Sequence, residues 1–213
     1  QRQMCIRDRL KTLEEPAPTV CLILTAATPR ALLPTVVSRC QQLQLRAPST
    51  EAIVQALVEL RGIEPGAADS LAALAVGRIG WALQAAEDPA LLEARQAALD
   101  HLAHALGAGV ADRFRLAEAL AALNPEMLDE VLELWLSWLR DVLLIQEGLD
   151  SRVVTRDQLP ALRAAAAQPS SGSILAAIRA VQIARWQVDS SINSRMALEV
   201  LMLRLPTLAS VQA

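Results

Sequence analysis

Two kinds of hydrophobic pattern divide this chain. From about residue 50 onward apolar positions recur every three to four residues, the spacing of one face of an α-helix. This predicts short helices at about 50–61, 66–76, 80–86 and 89–106, punctuated by Gly62, Pro65, Gly77, Gly80 and Pro89. Longer ones follow at about 112–123, 125–147, 155–167 and 173–204, broken by Asn124-Pro125, Gly148 and the segment from Gln168 to Gly172. The widest stripe joins Leu128, Val131, Leu132, Trp135, Leu136, Leu139, Val142 and Leu143. The first helix of the series has a clear start, with Ser49 or Thr50 placed to cap and Glu51 in the first turn.

Before residue 50 the pattern differs. Thr19 to Thr25 reads Thr-Val-Cys-Leu-Ile-Leu-Thr, a continuous apolar run after a proline-rich turn, which predicts a buried, parallel strand. Only Gln42 to Leu45 reads as a second, shorter strand, so the neighbours of the first are expected in sequence beyond this chain or in another chain. The segment is therefore expected to be a piece of an α/β domain. Leu10 to Glu15 resembles the last turn of a helix stopped by Pro16, and Pro34 to Ser38 a short helix whose end delivers Arg39. Residues 1–9 have no helical face, and Met4-Cys-Ile-Arg-Asp-Arg9 resembles translated adapter read-through, so this stretch is expected to be non-native.

Composition narrows the class. With 53% hydrophobic and 20% charged residues and a mean hydropathy of +0.30, the 213-residue chain is not an intrinsically disordered one. Aromatic residues make up 2%, four Trp and one Phe with no Tyr, so the core must be aliphatic, and its Ala and Leu favour closely packed helices. A net charge of -3 and a pI near 5.5 exclude the basic excess of a free-standing nucleic-acid binder. Cys5, Cys21 and Cys40 form no CxxC pair and have no histidine at zinc-ligand spacing, so reduced thiols, a cytoplasmic setting and no metal are expected. No apolar run reaches the length of a membrane span. His101 and His104 share a face at i,i+3 but lack an acidic or cysteine ligand beside them, Asp100 facing elsewhere; both read as partly exposed helix residues.

Three stretches in order carry a family resemblance. Leu10-Lys-Thr-Leu-Glu-Glu-Pro16, the apolar run, and then Leu33-Pro-Thr-Val-Val-Ser-Arg-Cys-Gln41 resemble the clamp-loader branch of the AAA+ ATPases. Taken alone, Ser38-Arg39-Cys40 reads as a surface arginine; its register with the preceding segments gives it specificity. Asn193-Ser-Arg-Met-Ala-Leu-Glu-Val-Leu201 and Trp135-Leu-Ser-Trp-Leu-Arg-Asp141 resemble the collar domains of bacterial DNA polymerase III clamp-loader subunits of the delta-prime type. The resemblance runs from Leu10 to the end of the chain.

The resemblance implies that Arg39 is an arginine finger acting in trans, with Ser38 and Cys40 fixing the helix end and taking no part in chemistry. Phosphoryl transfer needs charge neutralised on the transferring group, and a rigid planar guanidinium does this where an ammonium does not. It also implies a subunit-interface role for Trp135, Trp138, Arg140, Asn193 and Arg195. The plain reading of these residues remains beside it: Asn193 caps a turn, Arg195 pairs with Glu199 at i,i+4, and the two tryptophans sit in a core or a subunit contact, not on a base-stacking platform.

The chain has no GxxxxGK[ST] phosphate loop and no acidic magnesium-binding cluster ending a strand; both are expected upstream of Leu10. Where motors of the family sense the γ-phosphate with a polar side chain, this sequence reads Thr25-Ala26-Ala27-Thr28, which places Ala26 or Ala27 there, or Thr25 or Thr28 if the register slips by one. At the lid position where motors carry an arginine it has Gly80, with Arg78 displaced by two residues.

The expected architecture is mainly α: the end of an AAA+ core at 10–46, a helical lid at 47–106 and a helical collar at 107–213. The expected function is that of a non-catalytic clamp-loader subunit, with gamma/tau and delta subunits as partners and the sliding clamp and primer-template DNA reached indirectly. It holds no cofactor of its own, ATP and magnesium being bound by the neighbouring subunit. The alternative is an ATP-hydrolysing gamma/tau-like motor whose nucleotide-binding part is missing; an all-helical adaptor with an accidental Ser-Arg-Cys match is the third reading.

Overall fold

The structure is a computed structural model that describes residues 19–26, 32–190 and 193–208. Two compact units are distinguished, Gln1–Arg46 and Ala47–Ala213. Among the described residues of the first, one short helix forms, α1 (Pro34–Val37), with a proline in its first turn and Ser38 closing it. The run from Thr19 to Ala26 carries no secondary structure, and neither does Gln42 to Leu45.

The expected strands are thus absent among the described residues. Val20, Leu22, Ile23 and Leu24 remain exposed, Ile23 at 84%. The physical reason lies in how the two kinds of element satisfy their backbone. A helix bonds each N–H to a carbonyl four residues back, while a strand has no partner for its N–H and C=O groups until another strand lies beside it. Residues 1–18, which include the expected helical turn at Leu10 to Glu15, lie outside the described residues, as does Ala27.

The second unit is helical throughout. α2 (Thr50–Arg61), α3 (Pro65–Ala75) and α4 (Ile79–Ala85) form a small cluster around Ile53, Leu57, Ala68, Ala72, Ala75 and Ala82. Local chemistry sets its boundaries. The Ser49 hydroxyl accepts from Ala52 N at 3.3 Å to start α2, and Gly62 ends it with φ +65, in the left-handed region where glycine is favoured. Gly77 has φ +78, and a Cβ there would come within 2.9 Å of the Ala47 side chain, so this turn needs glycine for both conformation and space.

The larger core is enclosed by α5 (Ala90–Gly107), α6 (Val110–Ala121), α7 (Pro125–Gln146), α8 (Leu159–Ala166), α9 (Ser171–Asp189) and α10 (Ser194–Arg204). The stripe on α7 turns inward as its spacing predicts: Leu128, Leu132, Trp135, Leu139 and Val142 are buried. Alanines at 98, 105, 117, 161, 165, 177, 180 and 184 are buried among them, small side chains that let helices approach closely. The single helix expected over 173–204 is two. α9 ends at Asp189, and Asn193 starts α10 by accepting from Met196 N at 3.3 Å. Serine and asparagine side chains compete for backbone hydrogen bonds, which turns this polar stretch into a stop and a new start.

Three buried polar residues lock the larger core. Arg113 donates through its two Nη atoms to the carbonyls of Met202, Leu205 and Pro206 and to the Thr207 hydroxyl at 2.9–3.1 Å, fastening the segment after α10 to α6. Burial pushes its guanidinium below the usual arginine value, since the carbonyls replace water only in part. Asp141 Oδ2 accepts from Val154 N, Thr155 N and Thr155 Oγ1 at 2.6–3.0 Å, pinning the connection between α7 and α8. Arg95 forms a forked pair with Asp157 at 2.8 and 3.1 Å, tying α5 to that same connection.

Candidate functional site

The structure places Arg39 two residues beyond α1, at the exposed end of its last turn. Proline in the first turn fixes φ there and starts the helix where an N–H has no intrahelical acceptor. Main-chain bonds from Ser38 N to Pro34 O and from Arg39 N to Val36 O close it. The Arg39 Nη1 turns back to donate to Thr35 O at 2.9 Å, and the Ser38 hydroxyl donates to the same carbonyl at 3.2 Å. Arginine near a helix C-terminus completes orphan carbonyls in this way. The bond is exposed to water, so exchanging it alone costs on the order of 1 kcal/mol. Cys21 is exposed and Cys40 half-buried, both as free thiols.

Ala26 lies in the irregular run of the first unit and is exposed. In the second unit Gly80 occupies the first turn of α4, and a Cβ built on it meets nothing within 4 Å. Packing therefore does not demand glycine at this position; a longer side chain has room. Arg78 is engaged elsewhere. Its Nε donates to Ala75 O at 3.2 Å, and its guanidinium lies 5.7 Å from the centre of the Trp81 ring. The displacement by two residues seen in the sequence is thus also a displacement in bonding.

For two of the expected interface residues, read as core or subunit contact, burial places them in the core and not at an exposed contact. Trp135 is 0% and Trp138 4% exposed, and both belong to the chain's own core, Trp135 donating its Nε1 hydrogen to Ala98 O at 2.8 Å. Trp135 fills space between α5 and α7, Trp138 is buried in the same core, and neither ring is open to another subunit. Amphipathic spacing says which face of a helix is buried but not against which chain. The other three expected residues are exposed. No hydrogen bond or ion pair joins Arg140 to another described residue, Asn193 caps α10, and Arg195 bridges Glu118 at 2.8 Å and Glu199 at 3.0 Å. The hydrogen bond to Glu199, then the charge of Glu118, raise the Arg195 pKa above its ordinary value.

Sequence reasoning missed Arg95, Arg113 and Asp141. Asp141 had a signal, a carboxylate set between the stripe positions Leu139 and Val142. Arg113 had none, because its carbonyl partners lie some 90 residues away in sequence. His101 and His104 lie on α5, His104 exposed, and His101 Nδ1 is buried without a hydrogen-bond partner. Among the described residues no group of three or more His, Cys, Asp or Glu side chains converges, and no helix is long and apolar enough to cross a membrane.

Comparison with known proteins follows the same division of the chain. Residues 8–49 match a family described as DNA polymerase III, delta subunit. DNA polymerase III subunit delta' of Bacillus subtilis (strain 168) is 29% identical over 199 residues, which cover 92% of this chain and 60% of that protein. The chain thus spans about 60% of the length of the curated relative it matches. Residues 89–207, which include all of α5 to α10 and so the whole enclosure of the larger core, match the C-terminal family of the delta subunit. Since that match takes in more than half of the 213 residues, the chain belongs to the family described as DNA polymerase III, delta subunit, C terminal.

Proposed function

We propose that the chain acts as a delta-prime-like, non-catalytic subunit of the clamp loader of a DNA polymerase III holoenzyme. Its neighbours in that reading are the gamma/tau and delta subunits, and the sliding clamp and primer-template DNA are reached through the assembly. The observation that carries the reading is the likeness to a delta' subunit along 92% of the chain, from the Arg39 segment to α10. Residues 10–46 are then the end of an AAA+ core, 47–106 serve as a lid and 107–213 as a collar that holds the subunit in its ring.

In this reading Arg39 is the group that acts on ATP, across a subunit boundary. ATP and magnesium are held by the neighbouring motor; this chain contributes a guanidinium that neutralises charge on the transferring phosphoryl group. An arginine on the exposed end of a helix, its Nη1 bonded to a carbonyl of its own turn, fits that duty because such a side chain stands at the surface from which a phosphate would be met. Ala26 and Gly80 support the stator side of the reading. Neither offers a side chain that could contact a nucleotide, and the open space around Gly80 shows that the lack is not imposed by packing.

The test is a loader reconstituted from purified subunits with the wild-type chain or with Arg39→Ala. The expected outcome is a fall in DNA-stimulated ATP turnover, on the order of 10³-fold at the one active site this arginine serves, with Arg39→Lys failing to restore it. Unchanged turnover in a loader that still assembles would remove the finger assignment.

A further inference from the structure

A cleft opens between the two cores of the second unit. Its volume is about 170 Å³, and it lies where α4 of the smaller cluster meets α5 and the first three turns of α7. Ala94 and Ala98 of α5 and Met127, Val131 and Leu134 of α7 form two of its walls, and Trp81 of α4 adds to the lining. The helical steps agree with this, since 94 and 98 share one face of α5, and 127, 131 and 134 share one face of α7. Alanine at both 94 and 98 leaves open a space that two larger side chains would fill.

Size and chemistry define an occupant. A dry cavity of about 150 Å³ lined by aliphatic and aromatic side chains takes up benzene, so about 170 Å³ suits a ring carrying one further heavy atom. The Trp81 ring and the Met127 thioether favour an aromatic ring over an aliphatic one. The charges along the lining cancel. Arg95 is spent on Asp157 in its forked pair, while Arg78 and Glu130, neither in an ion pair with another described residue, contribute one charge of each sign. The lining therefore carries no net charge that would select an anion or a cation.

We propose that this cleft is a binding site for a small, neutral, single-ring aromatic molecule. The occupant touches α4 of the smaller core and α5 and α7 of the larger at once, so its binding stabilises their arrangement. This site is separate from the Arg39 segment and does not depend on the clamp-loader reading.

The chain has two histidines, which makes the test direct. His101 lines the cleft, while His104 is exposed on the same helix and takes no part in the lining. Their imidazole C–H resonances, assigned with His104→Gln, are followed by NMR at pH 8, where an ordinary imidazole is neutral. Phenol is added to the full chain, with cyclohexanol, benzoate and benzylammonium as comparisons. The expected result is a saturable shift of the His101 resonance with His104 unmoved, a dissociation constant of about a millimolar for phenol, and severalfold weaker binding of each comparison. Ala94→Phe and, as a second variant, Ala97→Phe put a ring of the chain's own into the cleft from exposed positions on α5. Each is expected to weaken phenol binding by about tenfold or more, with circular dichroism and a thermal melt checking that it folds as the wild type does. No shift, or equal and unsaturating shifts of both histidines, overturns the site. Undiminished binding by the folded variants overturns its location. A comparison that binds as tightly as phenol overturns the class of ligand.

Discussion

The run from Val20 to Leu24 and the stripe on α7 are both strongly apolar, yet they behave in opposite ways. In the first unit Ile23 is 84% exposed and its neighbours are half open to water; in the second Leu132, Trp135, Leu139 and Val142 are fully buried. Hydrophobicity is common to both, so it does not decide the outcome. The backbone does. α7 satisfies its own N–H and C=O groups and arrives at the core as a finished element, needing only other helices to cover one face. The apolar run between Thr19 and Thr25 requires a second strand in register before its backbone can leave water, and among the described residues none is present.

The comparison predicts an asymmetry in what substitutions cost, largest where the stripe is deepest. Trp135 fills the space between α5 and α7 and spends its one donor on Ala98 O. Trp135→Ala removes the largest buried side chain, takes away the donor to Ala98 O and leaves a cavity, a loss of about 3–5 kcal/mol. Urea denaturation followed by circular dichroism checks it. A loss under about 1 kcal/mol would mean that the α7 stripe is not the chief support of the second unit.

Much of this architecture was legible in the sequence, for identifiable reasons. Helix starts at Ser49 and Asn124 and the stop at Gly62 follow from caps and a left-handed turn, all local chemistry. The stripe on α7 announced which residues turn inward. What was not legible is what each face meets. The two tryptophans, read as core or subunit contact, fill this chain's own core, and the outward stripe of Met196, Val200 and Leu203 passed unremarked because Asn193 and Arg195 drew attention to the same helix for their polar groups. Arg113 and Arg95 find their partners across long separations, which no local pattern encodes. Arg39 stood out by a motif in context, and the structure adds its exposure and its bond to Thr35.

A smaller effect tests the claim that the helices are locally finished. Glu51 lies in the first turn of α2 beside the Ser49 cap. Hydrogen bonds from its own backbone N–H and from Ser49 lower its pKa below the ordinary 4.5. A carboxylate with a lowered folded-state pKa stabilises the fold above its unfolded value, and that contribution is lost as pH falls through the folded value. Glu51→Gln is therefore expected to melt slightly below the wild type at pH 7, the difference closing as the pH is taken below the ordinary carboxylate range. A gap that persists unchanged in acid would show that the N-terminal charge of α2 plays no part in its start.

The smallest expected effect is the sharpest test of the comparison. Ile23→Asp places a charge in the middle of the most apolar segment of the first unit, a change that in a buried strand would cost several kcal/mol. Because Ile23 is 84% exposed, the expected change in melting is within about 0.5 kcal/mol, the range of ordinary surface substitutions. A large drop in the isolated chain would mean that residues 19–25 find a pairing partner in solution and that the strand expected from the sequence does form. The same substitution in the reconstituted loader separates two further cases. If assembly is lost there while the isolated chain melts normally, the run is covered by a neighbouring subunit, and the missing ladder partner belongs to another chain.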